Sequence, residues 1–246
     1  MNSARAIFTA IAAALLALQT APADAANFGV SPLSVDLTTQ QRSAVITVSN
    51  DDTKVIQLKV HAVRWTQNAK GEDQYQPTED LVFFPKRLEI KPGEQRIIRT
   101  GLPAAPLTGD ERAYRLYVEE LPPVDLPTDG QTKLSVLLSF ALPVFVAPAA
   151  STSKLDVKSA ELLSDGTLSM QLANVGVTRA RISRVTSEDG TLASDSVSSR
   201  YLFPTVAKTV VARLGADACK QMPKNLKLEL DNQLVNVAIS RNACAS

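Results

Sequence analysis

Apolar and polar residues alternate with a period of two along most of the chain. From Arg42 to Ser49, Ala44, Ile46 and Val48 fall on one side and Ser43, Val45, Thr47 and Ser49 on the other. From Val55 to Trp65, Ile56, Leu58, Val60 and Ala62 point one way and Gln57, Lys59 and His61 the other. A period of two rather than 3.6 is the mark of a half-buried strand. Further strands are predicted at Phe83-Phe84, Leu88–Ile90, Arg96–Thr100, Ala113–Glu120 and Lys133–Val146. Turn chemistry separates them at Asn50-Asp51-Asp52, Lys70-Gly71, Pro92-Gly93, Gly109-Asp110, Pro122-Pro123 and Asp129-Gly130.

Between Ala147 and Ser153 the residues turn small and lose their pattern, which reads as a linker. Strands then resume at Leu155–Leu163, Thr167–Ala173, Arg179–Thr186, Leu192–Ser199, Thr209–Leu214, Asn225–Leu230 and Leu234–Ser240. The predicted fold is all-β, two Ig-like β-sandwiches joined by a short linker, over residues 26–147 and 152–246.

The first 25 residues do not belong to that pattern. Arg5 precedes an apolar run from Ala6 to Leu18, and Ala23-Asp24-Ala25 places small residues before an expected cleavage at Ala26. The run is shorter than the roughly 20 residues a bilayer-spanning helix needs, so a secretory signal is expected, with no membrane insertion after its removal. In an oxidising compartment the two cysteines, Cys219 and Cys244, are most simply a disulfide.

Composition narrows the function. With 26 Lys plus Arg against 25 Asp plus Glu, the formal charge is +1, without the basic excess of a nucleic-acid binder. No phosphate-binding glycine motif, zinc-ligand spacing or nucleophile elbow occurs, and no cofactor is expected. The single histidine, His61, has no Ser or Cys partner by spacing and reads as an exposed strand residue. Glu119 and Glu120 are strand neighbours and so face opposite ways. Trp65 reads as core. Enzyme is the weakest class.

Several landmarks, in order, carry a likeness: Phe28 to Pro32; Val48-Ser49-Asn50-Asp51; Ala62-Val63-Arg64-Trp65; Arg87-Leu88-Glu89 running into Lys91-Pro92-Gly93; Glu119-Glu120-Leu121-Pro122-Pro123; and Phe145-Val146-Ala147-Pro148-Ala149-Ala150. Together they resemble the PapD-like periplasmic pilus-assembly chaperones. The resemblance implies a periplasmic, non-enzymatic chaperone that caps pilin or fimbrial subunits by donor-strand complementation and delivers them to an outer-membrane usher.

The implied donor strand is Lys133–Val146, with Leu134, Val136, Leu138, Phe140 and Leu142 on the subunit-binding face. Read from the residues alone, a central strand buried on both faces is the favoured reading, and it is the resemblance that reverses it.

The chain also departs from the family. The two basic residues that the resemblance places in the interdomain cleft, to anchor a subunit's carboxylate, fall at Ser34 and Pro143, neither of them basic. The cross-cleft ionic network loses its Arg at Ala147, while Glu111 and Asp231 stay acidic. Arg112 and Arg115 are the candidate replacement anchors. The segment Pro122–Thr132 is short, as in the short-loop branch of the family. Two alternatives stand beside the chaperone reading: an assembly factor for a non-pilus surface protein, and an exported two-domain structural or adhesion module that pairs Leu134–Val146 internally.

Overall fold

The computed structural model describes residues 28–102, 109–122, 136–149, 152–231 and 233–245. The expected signal segment, Leu134, and all but Pro122 of the segment Pro122–Thr132 lie outside these residues.

The first sandwich contains β1 (Phe28–Ser31), β2 (Val35–Leu37), β3 (Ser43–Asn50), β4 (Ile56–Gln67), β5 (Asp73–Pro77), β6 (Val82–Phe84), β7 (Arg87–Ile90), β8 (Gln95–Gly101), β9 (Arg112–Glu120) and β10 (Ser139–Val146). One sheet runs β1-β3-β8-β6; the other runs β2-β10-β9-β4-β5, with β7 also paired to β4. The predicted alternation places the core: Ile46, Val48, Ile56, Leu58 and Val60 are all buried on the inner faces. Strand β5 escapes the sequence pattern because all five of its residues are exposed; its pairing with β4 alone makes it a strand.

The second sandwich contains β11 (Leu155–Leu162), β12 (Thr167–Asn174), β13 (Ala180–Ser187), β14 (Ala193–Ser194), β15 (Tyr201–Leu202), β16 (Ala207–Arg213), β17 (Asn225–Leu230), β18 (Leu234–Ala238) and β19 (Arg241–Asn242), with a short helix α1 (Asp217–Gln221). The expected strand Leu192–Ser199 shrinks to β14 plus a single bridge from Val197 to Ala212. Serine side chains divert the backbone there: Ser194 Oγ donates to the Ser196 carbonyl and accepts from the Ser196 amide. Helix α1 is too short for a helical period to show in the sequence. A disulfide joins its Cys219 to Cys244 near the C-terminus, 25 residues on. In the loop-entropy account a bridge of that span stabilises by about 3 kcal/mol. Among the described residues no helix is long and apolar enough to cross a membrane.

Each sandwich is pinned by a buried asparagine at the end of an inner strand. Asn50 Nδ2 donates to the carbonyls of Lys54 and Ile90, both at 2.8 Å, while Oδ1 accepts the Asp52 amide at 2.9 Å. Asn174 repeats the arrangement in the other sandwich. Its Nδ2 donates to Thr178 and Leu202, both at 2.8 Å, and its Oδ1 accepts the Gly176 amide at 2.9 Å. The backbone repeats too: the Gly93 amide bonds the Asn50 carbonyl, and the Thr205 amide bonds the Asn174 carbonyl. Gly93 and Thr205 both sit at positive φ, 73° and 66°. Glycine takes that conformation freely, whereas a β-branched residue such as threonine is strained in it.

Candidate functional site

Strand β10 is the element on which the candidate site depends. It pairs antiparallel with β9 along its whole length, Ser139 opposite Glu119 through Val146 opposite Arg112. On its other side β2 covers only Val144–Val146, in parallel. Backbone groups alternate along a strand, and two bonds fix the phase. The Leu138 carbonyl accepts from the Glu120 amide of β9, and the Ala147 amide donates to Leu37 of β2. Even-numbered residues of β10 therefore bond β9, and odd-numbered ones face the opposite edge. At Ser139 and Ala141 that edge has no strand beside it among the described residues. Pro143, which lacks an N–H, occupies an odd position, where its absence leaves the β9 ladder whole.

The expected strand begins later than predicted: among the described residues it starts at Ser139, with Val136–Leu138 outside it. Its apolar face points into the first sandwich. Leu142 fills the core at 2% exposure, Leu138 and Phe140 pack partly against that core, and Phe140 meets Phe28 edge-on at 5.1 Å. Val136 is 64% exposed.

The proposed anchors diverge. Arg112 and Arg115 are three residues apart on β9 and therefore point to opposite faces of its sheet. Arg112 lines a crevice with Arg64, Asp110 and Thr205 on the inner side. Arg115 lies on the outer face, its guanidinium 3.8 Å from the Trp65 ring centroid, with Nη1 donating to the Ala141 carbonyl at 3.2 Å. Arg115 is thus the described cation that touches the open edge, and the two arginines are not brought together. Ser34 is exposed and Pro143 buried.

His61 is less free than the sequence suggested. Its ring stacks on Tyr117 at 4.8 Å, and Nδ1 lies 3.4 Å from Glu119 Oε2. Glu120, on the other face, accepts the Leu138 amide at 3.3 Å.

Trp65 is buried as expected, at 2% exposure, but not in the first sandwich's core. It joins Phe145 and Ala113 in a cluster continuous with the core of the second sandwich. On β9 the small Ala113 separates them in register, which lets the rings of Trp65 and Phe145 meet at 6.0 Å; Phe203 closes on Trp65 at 4.7 Å.

Beside this cluster the missing cation of the cleft reappears from the second sandwich. Arg179 pairs through Nη1 with Glu111 Oε1 and through Nη2 with Asp36 Oδ1 at 2.6 Å. Its own amide donates to Glu111 Oε2 at 2.7 Å, and its guanidinium lies 3.6 Å from the Phe145 ring centroid. Arg181 pairs with Asp231 at 2.9 Å. Glu111, Arg179, Arg181 and Asp231 border a cleft of about 420 Å³ that also touches Ala147, Ser153 and Gln233. Sequence reasoning missed Arg179 because its partners lie 68 and 143 residues away.

Burial raises the pKa of the Glu111 carboxyl, and the charge and hydrogen bonds of Arg179 offset that only in part. With the folded pKa above the unfolded one, Glu111's contribution to stability is full at acid pH and falls away as pH rises through the raised value. At neutral pH the charged carboxylate depends on Arg179. Arg179→Ala should therefore cost about 3–5 kcal/mol by leaving a buried charge unpaired. Glu111→Gln, which removes that charge and keeps an acceptor, should cost clearly less. Urea denaturation of the two variants at neutral pH checks this; equal losses would refute it.

Comparison with known proteins follows the same lines. No curated protein matches the chain significantly by sequence. Solved structures do match its fold. The CsuC–CsuE chaperone–tip adhesion subunit complex of Acinetobacter baumannii is 17% identical, covering 88% of this chain and 99% of that one, at a TM-score of 0.60. The SafB chaperone–SafA pilin complex of Salmonella enterica is 13% identical, with 88% and 98% covered, at 0.60. The E. coli chaperone DraB is 16% identical, with 87% and 99% covered, at 0.57. At these identities the likeness is one of fold. The sequence model of the PapD N-terminal domain matches residues 27–152, which hold β10 and its partners. The chain belongs to the pili and flagellar-assembly chaperone family.

Proposed function

We propose that this protein is a periplasmic chaperone that captures pilus or fimbrial subunits by lending them β10, and that it passes them to an outer-membrane usher without catalysis. Residues 26–147 form the capturing unit in this reading, and 152–246 the second wall of the cleft. The observation that carries it is the edge of β10 at Ser139 and Ala141, which no strand covers among the described residues, next to an apolar approach that includes the exposed Val136. Such an edge is a hazard unless it has a partner, and a strand-deficient subunit is the partner that main-chain pairing suits.

Of the ladder Leu134, Val136, Leu138, Phe140 and Leu142, the last roots β10 in its own core, and Leu138 and Phe140 already pack partly against it, so a subunit's groove would take the exposed Val136 and the uncovered parts of Leu138 and Phe140. Burying an exposed side chain of this kind yields about 1.5–3 kcal/mol, and Leu138 and Phe140 add less because part of each is already covered. Association costs about 4–15 kcal/mol, so capture also requires the backbone bonds along the edge. Arg115, already at the Ala141 carbonyl, is the basic group placed to meet whatever docks there.

Val136→Arg tests the apolar part. It should leave the fold intact, since Val136 is exposed, and abolish co-purification of a co-expressed pilin. Capture at the wild-type level would remove Val136 from the donor face.

A second reading rests on Ser34 and Pro143, where the basic pair is missing: the same edge could serve a non-pilus surface protein. Identifying what co-purifies from periplasm separates the two.

A further inference from the structure

Among the side chains that join the two sandwiches, that of Gln67 has bonding that leaves it no alternative orientation. Gln67 is the last residue of β4, opposite Asp73 of β5. Its Nε2 donates to Asp73 Oδ1 at 3.0 Å and to the Tyr201 carbonyl at 3.1 Å, and its Oε1 accepts the Phe203 amide at 3.0 Å. Asp73 and the Tyr201 carbonyl both accept, so the atom facing them must be the NH2 group. The Phe203 amide only donates, so it must face the oxygen. A carbonyl and the amide two residues on lie on the same side of an extended strand. The carboxamide therefore bonds the Tyr201–Phe203 segment as the N–H and C=O of one residue in a parallel neighbouring strand would, adding one rung that belongs to the other sandwich.

The surroundings hold the hairpin against the second sandwich. Lys208 Nζ donates to the Gly71 carbonyl at 2.6 Å, and a Cβ on Gly71 would lie 2.6 Å from Lys208 Cδ. Trp65, two residues before Gln67, packs on Phe203 and Tyr201. The same strand β4 pairs with β9, and β9 carries β10.

We propose that Gln67 is a positioning residue: its carboxamide, oriented by Asp73, sets the angle between the sandwiches and hence where the second sandwich stands relative to the edge of β10. Its use in subunit capture rests on the function proposed above; its setting of the angle does not.

Residual dipolar couplings of the full-length mature chain test this without any subunit. In the wild type, couplings from both sandwiches fit one alignment tensor in the orientation described. Gln67→Glu places a carboxylate against Asp73 and the Tyr201 carbonyl and should change the relative orientation, with amide shifts inside each sandwich unchanged. Gln67→Met, which keeps the length and loses every bond, should shift it in the same direction and serves if the Glu variant fails to fold. Wild-type orientation in both variants would overturn the proposal. Pilin co-purification is the separate arm. A wild type that captures nothing defeats the functional reading alone, while a shifted angle with undiminished capture shows that Gln67 has no part in binding and overturns that half of the proposal.

Discussion

With Ala141 replaced by proline, the chain folds and melts much as the wild type does, yet a co-expressed pilin no longer co-purifies with it. The amide that proline removes faces the open edge of β10, away from β9, so no bond within the sandwich is lost. Proline is tolerated on an edge strand when its missing N–H would have faced solvent, and Pro143 already occupies the next such position. An incoming strand meets a pyrrolidine ring where it needs a donor. The control is one residue away. The Leu142 amide faces β9, so Leu142→Pro breaks the ladder, leaves a β9 carbonyl without its donor at about 1–3 kcal/mol, and also removes a packed core side chain. Thermal melts and pull-downs of both variants read the result. Undiminished capture by Ala141→Pro would show that the edge is not used; equal melting of the two would show that the amide directions are wrong.

A large loss of stability is also expected from the buried asparagines. Asn50→Leu keeps the volume but leaves the Lys54 and Ile90 carbonyls and the Asp52 amide without their partner. A buried polar group left unsatisfied costs about 1–3 kcal/mol; the Ile90 carbonyl is buried and the other two groups are partly so, and the three together should cost about 3 kcal/mol. For a chain of this size that corresponds to a fall in Tm of about 6–12 °C. Asn50→Asp preserves the acceptor for Asp52 but turns an oxygen toward two carbonyls, so it should not rescue. Calorimetry measures both, and a Tm for Asn50→Leu within about 2 °C of wild type would refute the argument.

Much of the fold was legible because the inner faces of β3 and β4 follow a strict alternation, which a sandwich with one wet face imposes. The same rule, carried four residues beyond His61, places Trp65 with Gln57, Lys59 and His61 on the outer side of β4, and places Arg112 and Arg115 back to back. Reading Trp65 as core of its own sandwich, and the two arginines as alternatives for one anchor, overrode a signal that was present. The asparagines left a trace as well: an Asn closing an apolar strand, followed by Pro92-Gly93 in one half and Pro204-Thr205 in the other. The threonine hid the correspondence. What the sequence could not supply is pairing across distance. Arg179 finds Glu111 and Asp36, and Gln67 finds Tyr201 and Phe203, only once the sandwiches are set against each other.

The row Trp65-Ala113-Phe145 bears on how the molecule is put together in time. These three side chains complete a core whose other members all come from the later half of the chain. An N-terminal fragment would leave a tryptophan and a phenylalanine facing water, and a C-terminal fragment would have a hole where they belong. Neither half is then a finished object by itself. A nascent molecule, made from its N-terminus onward, must keep that seam covered, or unaggregated, until its tail arrives.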